Sequence, residues 1–274
     1  MPELPEIEVL RRSLEPFVVG DRIERVEVRD TRLREPIRTR ELARRVSGRR
    51  IDRLDRRGKY LLVELEGGWS LGVHLGMSGR FTLVPAEEPL EPHEHVAFFL
   101  ASGRKLRLRD PRRFGLVFTF KTAEREDDPH FSHLGVEPLE PGFSGETLRL
   151  AAQGRRGPVK GFVMDGTVMV GAGNIYAAEA LFRAGIHPLR SVARIAAKRW
   201  NLLAEALVEV LSQAVEQGGT TLNDFADGEG RSGYFQVSLS VYGREGERCG
   251  RCDGIVRRAV LANRSTFFCP RCQR

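Results

Sequence analysis

Only four cysteines occur in this 274-residue chain, and their spacing constrains its tail more tightly than anything else in the sequence. Cys249, Cys252, Cys269 and Cys272 make a C-x2-C-x16-C-x2-C pattern close to the carboxyl end. Two cysteines separated by two residues turn both sulfurs inward from one tight loop. Two such loops can close a tetrahedron around zinc. The alternative is a pair of disulfides, which belongs to secreted chains. Met1 to Glu6 is acidic and proline-rich, with neither a basic start nor an apolar run, so no secretory signal is expected and zinc is preferred. Four thiolates fill the coordination sphere, so one such zinc orders the chain and leaves no open position for chemistry.

Lys and Arg number 44 against 37 Asp and Glu, a net charge of +7, and 30% of residues are charged against 41% hydrophobic. That balance excludes a mostly disordered chain. No run approaches the roughly 20 apolar residues of a membrane span. The expectation is a soluble cytoplasmic protein, with no membrane partner, whose basic bias suits a polyanion. The bias is uneven: from Arg244 to Arg274 eight arginines stand against three acids, five of the seven excess charges. A solvated charged face is the ordinary reading of such a run. Concentration on a small zinc hairpin points instead to a phosphate-facing surface.

Ile7, Leu10, Leu14 and Phe17 recur at helical spacing after Pro5, and Gly20 follows, which predicts an amino-terminal helix. The period then changes to two. Ile23, Val26 and Val28, the runs Tyr60 to Leu65, Phe81 to Val84, Val96 to Leu100 and Leu116 to Phe120, and the strict alternation of Lys105 to Arg109 read as short strands. With Gly and Pro between them they predict a β-sandwich or barrel over about residues 1–130. Prolines and glycines from Pro129 to Ser144 suggest a linker. Helices are expected over Asn174 to Ala184 and Ala193 to Gln217, the second stopping before Gly218-Gly219. Asp224 to Gly233 reads as a mobile loop, and Ile255 to Leu261 with Ser265 to Phe268 as a hairpin between the cysteine pairs. The fold class is α+β.

Proline at position 2 has chemical meaning if Met1 is removed, as aminopeptidases do before small residues. The exposed α-nitrogen is then a secondary amine with a pKa near 8, far more often unprotonated at neutral pH than a lysine. Such an amine can attack a carbonyl or a sugar C1′ and go on to a Schiff base. Glu3 and Glu6 flank it and can give or take a proton. A solvated chain terminus is the plain alternative.

The first eight residues, Met-Pro-Glu-Leu-Pro-Glu-Ile-Glu, resemble the start of the bacterial formamidopyrimidine-DNA glycosylases, repair enzymes that excise oxidised purines. The resemblance runs in order down the chain: Arg57-Gly-Lys-Tyr-Leu-Leu, His74-Leu-Gly-Met-Ser-Gly, Asp110-Pro-Arg-Arg-Phe-Gly, Gly171-Ala-Gly-Asn-Ile-Tyr-Ala, Gly218-Gly-Thr-Thr-Leu, Tyr242-Gly-Arg-Glu-Gly and the cysteine tail. It implies an N-terminal β-sandwich with an N-terminal helix, then a helical domain with a helix–two-turn–helix element, then a C-terminal zinc-finger β-hairpin. The corresponding segments are 1–130, 131–235 and 236–274.

By that resemblance Pro2 matches the family's nucleophile, Glu3 the acid that assists sugar-ring opening, and Glu6 a second carboxylate beside the amine. Lys59 matches the lysine assigned to β-elimination and phosphate contact, and Arg264 the arginine linked to δ-elimination. His93, Arg112 and Arg155 match DNA contacts, although the family usually carries lysine at the last of these, which leaves the geometry there open. His74 and Asn174 resemble further phosphate contacts. A base inside the stack must be flipped out before it can be cut, and side chains should fill the gap. Met77, Arg112 and Phe114 match the family's three inserted residues: two wedge between bases, and the arginine hydrogen-bonds the orphaned partner. Core packing is the plain alternative for Met77 and Phe114, but Asp110 to Gly115 reads as a turn, which places side chains for a partner. Gly171 to Asn174 lacks the strand and third glycine of a dinucleotide site, yet a helix start there can take a phosphate. Gly218 to Tyr234 aligns with the family's lid over the flipped base.

The implied partner is damaged double-stranded DNA, met by a monomer with no small-molecule cofactor, in the bacterial cytoplasm at the nucleoid. Two other readings compete. A sibling family excises oxidised pyrimidines, but it starts Met-Pro-Glu-Gly-Pro-Glu where this chain has Leu4, and it differs around Arg112. A non-catalytic zinc-hairpin nucleic-acid binder explains charge and cysteines but leaves Pro2, Glu3 and Lys59 without a purpose.

Overall fold

Glu3 and Glu6 cap the first helix, α1 (Leu4–Val18), in a reciprocal capping box, and Pro5 presets its first turn. Ile7, Leu10, Leu14 and Val18 form its buried stripe. Phe17, expected in that stripe, is half exposed and lies under the Arg104 guanidinium, 5.0 Å from ring centre to Cζ. The structure is a computed structural model that describes residues 2–219 and 239–274. The chain divides into two compact units, residues 1–132 with 217–234 and residues 133–216 with 235–274.

In the first unit β1 (Arg22–Val28) is followed by a short helix, α2 (Thr39–Val46), and seven strands: β2 (Arg49–Arg57), β3 (Tyr60–Leu65), β4 (Trp69–His74), β5 (Arg80–Pro85), β6 (Glu94–Leu100), β7 (Arg104–Arg109) and β8 (Leu116–Lys121). Every pairing is antiparallel, in the order β5-β7-β6-β1-β2-β3-β4-β8. β1 and β2 share only the pairs Arg22↔Arg50 and Ile23↔Arg49. The sheet therefore parts into two four-stranded halves, the expected β-sandwich. One apolar cluster draws on both halves, with Ile23, Phe81 and Phe98 from one, Ile51, Leu61 and Val73 from the other, and the α1 stripe.

Three elements here escape the sequence pattern, one of them β4, whose apolar run is interrupted by Ser70 and Gly72 although five of its six residues are buried. In β2 only Ile51 and Leu54 are buried, three residues apart, because a bulge shifts the register between Ile51 and Arg53. Helix α2 buries Leu42 and Val46 alone. The boundary between the two units falls between Ser132 and His133, inside the linker expected over Pro129 to Ser144, but the segment is held rather than loose. Phe131 is fully buried and packs 5.3 Å from Tyr60, 5.8 Å from Phe118 and 5.1 Å from Phe120, ring centre to ring centre. In the second unit the Gly135 N–H donates to the Gly166 carbonyl at 2.8 Å, and Val136 bridges Met169. Composition marks irregular backbone there, but side-chain burial and pairing pin it.

The second unit holds α3 (Gly145–Ala151), α4 (Val159–Val163), α5 (Asn174–Arg183), α6 (Ala197–Glu216) and a hairpin of β9 (Arg257–Leu261) with β10 (Arg264–Phe268). Trp200, Leu203, Leu207 and Leu211 line the inner face of α6, and Phe162 meets Trp200 edge-on at 5.4 Å. The start expected for α6 at Ala193 moves to Ala197, because Val192–Arg194 forms a separate single 3-10 turn. The hairpin turns at Ala262 and Asn263, with φ of 46° and 60°. The loop expected at Asp224 to Gly233, and most of the Gly218 to Tyr234 lid, lie outside the described residues. No helix among the described residues is long and apolar enough to cross a membrane.

Candidate functional site

Pro2 lies buried at the head of α1, against Glu3 and Glu6 at 2% and 1% exposure. The Glu3 N–H donates to Glu6 Oε2 at 2.8 Å, so the capping box that starts the helix also places two carboxylates beside residue 2. Gly219 closes on the same carboxylate: a Cβ there would lie 3.2 Å from Glu6 Oε1, and its φ is 78°. Lys59, half buried, sits on the tight turn joining β2 to β3, beside Gly58 with φ of 56°. The next residue, Tyr60, pairs with His74 across the β3–β4 ladder, with ring centres 4.9 Å apart.

His74 is buried, and burial pushes its imidazole down to about 3, helped by the Arg34 and Lys59 charges. It is neutral at physiological pH. Its Nδ1 accepts the Gly76 N–H at 2.9 Å, so the proton sits on Nε2. A phosphate contact from His74 is thus a neutral N–H donor.

Met77 and Phe114 are 38% and 41% exposed, and Arg112 stacks its guanidinium 4.9 Å from the Phe114 ring centre. These three stand on two turns, residues 75–79 and 110–115, that pack backbone against backbone. A Cβ on Gly76 would lie 2.4 Å from the Phe114 carbonyl carbon, at a φ of 62°. Exposure on turns removes the core-packing alternative for Met77 and Phe114. His93 is exposed with a φ of 66°, and its carbonyl accepts the Asp110 N–H at 3.0 Å.

In the second unit Arg264 opens β10 beside the hairpin turn, exposed, with Arg257 and Arg258 exposed on the partner strand. Asn174 opens α5. Its amide donates to the Ser265 carbonyl at 3.0 Å, and its Oδ1 accepts from Lys160 Nζ at 2.7 Å. Lys160, 1% exposed, also donates to Thr266 Oγ1 at 2.9 Å. Asn174 thus ties a helix start to the strand that carries Arg264, instead of presenting a free amide. Arg155 pairs with Asp165 at 2.7 Å, so a phosphate there has a carboxylate to displace.

The four cysteine sulfurs lie within 4.8 Å of one another. Cys249 and Cys272 approach to 3.8 Å, Cys252 and Cys269 to 3.5 Å, and no cysteine is in a disulfide. A tetrahedron with Zn–S bonds of about 2.3 Å has edges of about 3.8 Å, so the residues fit one zinc. Burial and then the neighbouring sulfurs push the Cys272 thiol up to about 12, a crowding that a divalent cation relieves by taking thiolates. Gln273, 1% exposed, accepts the Cys269 N–H at 2.8 Å and donates to the Ile186 carbonyl at 2.9 Å, seating the zinc loop on the helical body.

Three buried polar side chains at these sites went unread in the sequence: Asp110, Lys160 and Glu179. The Glu179 carboxylate accepts the N–H groups of Ser240, Val241 and Tyr242 at 2.8 to 2.9 Å. Asp110 lies in a quoted motif and Glu179 just beyond one, whereas Lys160 is in none, and each has a partner remote in sequence.

Fold and sites together define a β-sandwich protein with a buried acidic amino terminus, a helical body and a tetracysteine zinc finger. Family models for the formamidopyrimidine-DNA glycosylase N-terminal domain, its H2TH domain, and the zinc finger found in FPG and IleRS match residues 1–117, 134–226 and 246–274. The chain belongs to the formamidopyrimidine-DNA glycosylase family. It is 47% identical to the formamidopyrimidine-DNA glycosylase of Syntrophotalea carbinolica and 49% identical to that of Stutzerimonas stutzeri, over all of both chains in each case. Among solved structures it resembles a point mutant of the Lactococcus lactis FPG in complex with Fapy-dG-containing DNA (TM-score 0.93, 31% identity, all of both chains). It also resembles the MutM (FPG) protein of Thermus thermophilus (TM-score 0.89, 42% identity, 99% and 98% of the two chains).

Proposed function

We propose that this chain is a bifunctional base-excision repair enzyme that removes oxidised purines, 8-oxoguanine and formamidopyrimidines, from duplex DNA and then cuts the abasic strand. The observation that carries this reading is full-length family membership; by the motif resemblance drawn from the sequence, Pro2, Glu3, Lys59 and Arg264 supply the reacting groups. The Lactococcus lactis relatives were solved with Fapy-dG-containing DNA and with abasic-site DNA.

With Met1 removed, the Pro2 nitrogen attacks C1′ of the extruded nucleotide, the glycosidic bond breaks, and the base leaves with a proton. Glu3 protonates O4′, which opens the sugar and leaves an iminium on Pro2; Glu6 holds the Glu3 backbone in place for that transfer. Loss of a C2′ proton then expels the 3′ phosphate, the step given to Lys59. A second elimination, given to Arg264, expels the 5′ phosphate, and water hydrolyses the iminium to restore Pro2. Met77, Arg112 and Phe114 fill the gap, while His74, His93, Arg155 and Asn174 serve the backbone, Asn174 through the Lys160–Ser265 network. Cys249, Cys252, Cys269 and Cys272 hold one structural zinc, which cross-links two loops and supplies no reaction step. Segments 1–130, 131–235 and 236–274 divide these tasks, in a monomer working on the bacterial nucleoid in the cytoplasm.

Incubation with a duplex carrying 8-oxoguanine tests the reading: strand scission with phosphate at both ends is the expected product, and an intact strand would overturn it. The sibling specificity earns a place in that assay because one Lactococcus lactis FPG structure holds oxidised-pyrimidine DNA. Faster release from thymine glycol than from 8-oxoguanine would favour it.

A further inference from the structure

Asp110 is fully buried, and its carboxylate meets only neutral donors among the described residues. Oδ1 accepts the Ser78 hydroxyl at 2.9 Å and the Arg112 N–H at 3.2 Å; Oδ2 accepts the Gly115 N–H at 2.8 Å. Its backbone is as fully engaged. The Asp110 N–H donates to the His93 carbonyl at 3.0 Å, and the Asp110 carbonyl accepts the Arg113 N–H at 3.2 Å and lies 2.8 Å from His95 Nε2. One residue therefore joins three loops. Ser78 adjoins Met77, His93 is a direct partner, and Arg112 and Gly115 bracket Phe114.

Burying a carboxylate is costly, and a protein that needed only a stable turn could use a neutral Asn or Ser there. What the charge adds is strength and geometry: ionised acceptors make shorter, stronger hydrogen bonds, and two oxygens hold two turns at a fixed separation. The second turn has its own outer tether, since Arg113, with φ of 58°, reaches the Asp30 carboxylate and the Arg32 carbonyl. Met77 comes from one turn and Arg112 with Phe114 from the other. Without Asp110 and Ser78 the two turns lose their direct polar link, and the three side chains no longer share a rigid base.

We propose that Asp110, acting through Ser78, is a positioning residue that preassembles the Met77–Arg112–Phe114 wedge before DNA is met. The inference rests on the wedge role given to those three residues above. It makes a prediction that a general structural role does not: the residue matters where a paired base must be levered out and its partner held, and not where the lesion is already unpaired.

The zinc-loaded full chain tests it as wild type, Ser78→Ala and Asp110→Asn, with single-turnover excision of 8-oxoguanine opposite cytosine, opposite adenine and opposite an abasic residue. Ser78→Ala removes one donor and leaves the fold intact; Asp110→Asn turns an N–H toward one of its former donors. The expected outcome is a loss of about tenfold for Ser78→Ala opposite cytosine, the worth of one hydrogen bond to a charged group, and more for Asp110→Asn. Discrimination between cytosine and adenine should shrink in parallel. Excision opposite the abasic residue should stay within about twofold of wild type, because no partner base has to be held there. Equal losses on all three substrates in Ser78→Ala, or no loss on any, would overturn the inference. A wild-type chain inert on every substrate would overturn the enzyme reading itself, and the inference with it.

Discussion

His74 shows how a buried titratable group reports on the fold at the scale of one residue. Its folded-state value of about 3 lies below the ordinary 6.5 because burial disfavours the imidazolium. The unfolded chain therefore takes up the proton first. Stability from this group is complete above about pH 6.5 and declines as pH falls, by about 1.4 kcal/mol per pH unit, until the folded value is reached. His187 is also shifted downward by burial, so the useful comparison is between wild type and His74→Asn. Urea unfolding between pH 6.5 and 5 should show a shallower pH slope in the variant, by about one proton. Equal slopes would mean that His74 is solvated, and its buried place at the end of β4 would be wrong.

Among the elements, the zinc hairpin makes the sharpest claim. β9 and β10 have few buried side chains of their own, Thr266 and Phe268 among them, so the four sulfurs and Gln273 have to hold the loops. Cys269→Ser should lose zinc and duplex binding, and β9–β10 amides should lose hydrogen-exchange protection while β3 and β4 keep theirs. Normal DNA binding without zinc would contradict the role given to the finger. The hairpin was legible in the sequence because its ligands repeat at short, fixed spacing. Six sandwich strands were legible from hydropathy that alternates, as in β7, or runs unbroken, as in β6, although burial in β7 is continuous and takes in Lys105 and Arg107; Ser70 and Gly72 hid β4. β2 was hidden by its bulge, which puts Ile51 and Leu54 three apart among seven charged residues. Asp110 was hidden for another reason: its Ser78 partner is 32 residues away, and Lys160 finds Thr266 across 106. Local pattern marks which residues can be buried or can bind metal, whereas a buried charge is explained only by what tertiary structure brings to it.

On the scale of the whole molecule, charge governs the encounter with DNA. A net charge of +7, five of it in the tail, predicts binding that depends on displaced counterions. Affinity for duplex DNA should fall as salt rises, with a log–log slope of roughly 0.9 per phosphate neutralised. Arg264→Ala should reduce that slope by about one unit. An affinity indifferent to salt would be incompatible with a phosphate-facing surface. The two units contribute different things: the first a buried proline flanked by carboxylates and a wedge on two locked turns, the second a helix start wired to a zinc-ordered strand. Neither is useful unless the amine at residue 2 reaches the sugar. Peptide mapping by mass spectrometry of the borohydride-reduced complex with 8-oxoguanine DNA tests that most directly. The reduced sugar should appear on a peptide that begins at Pro2, with Met1 gone; an adduct on Lys59 or any other lysine, or full activity with Met1 still attached, would contradict the account.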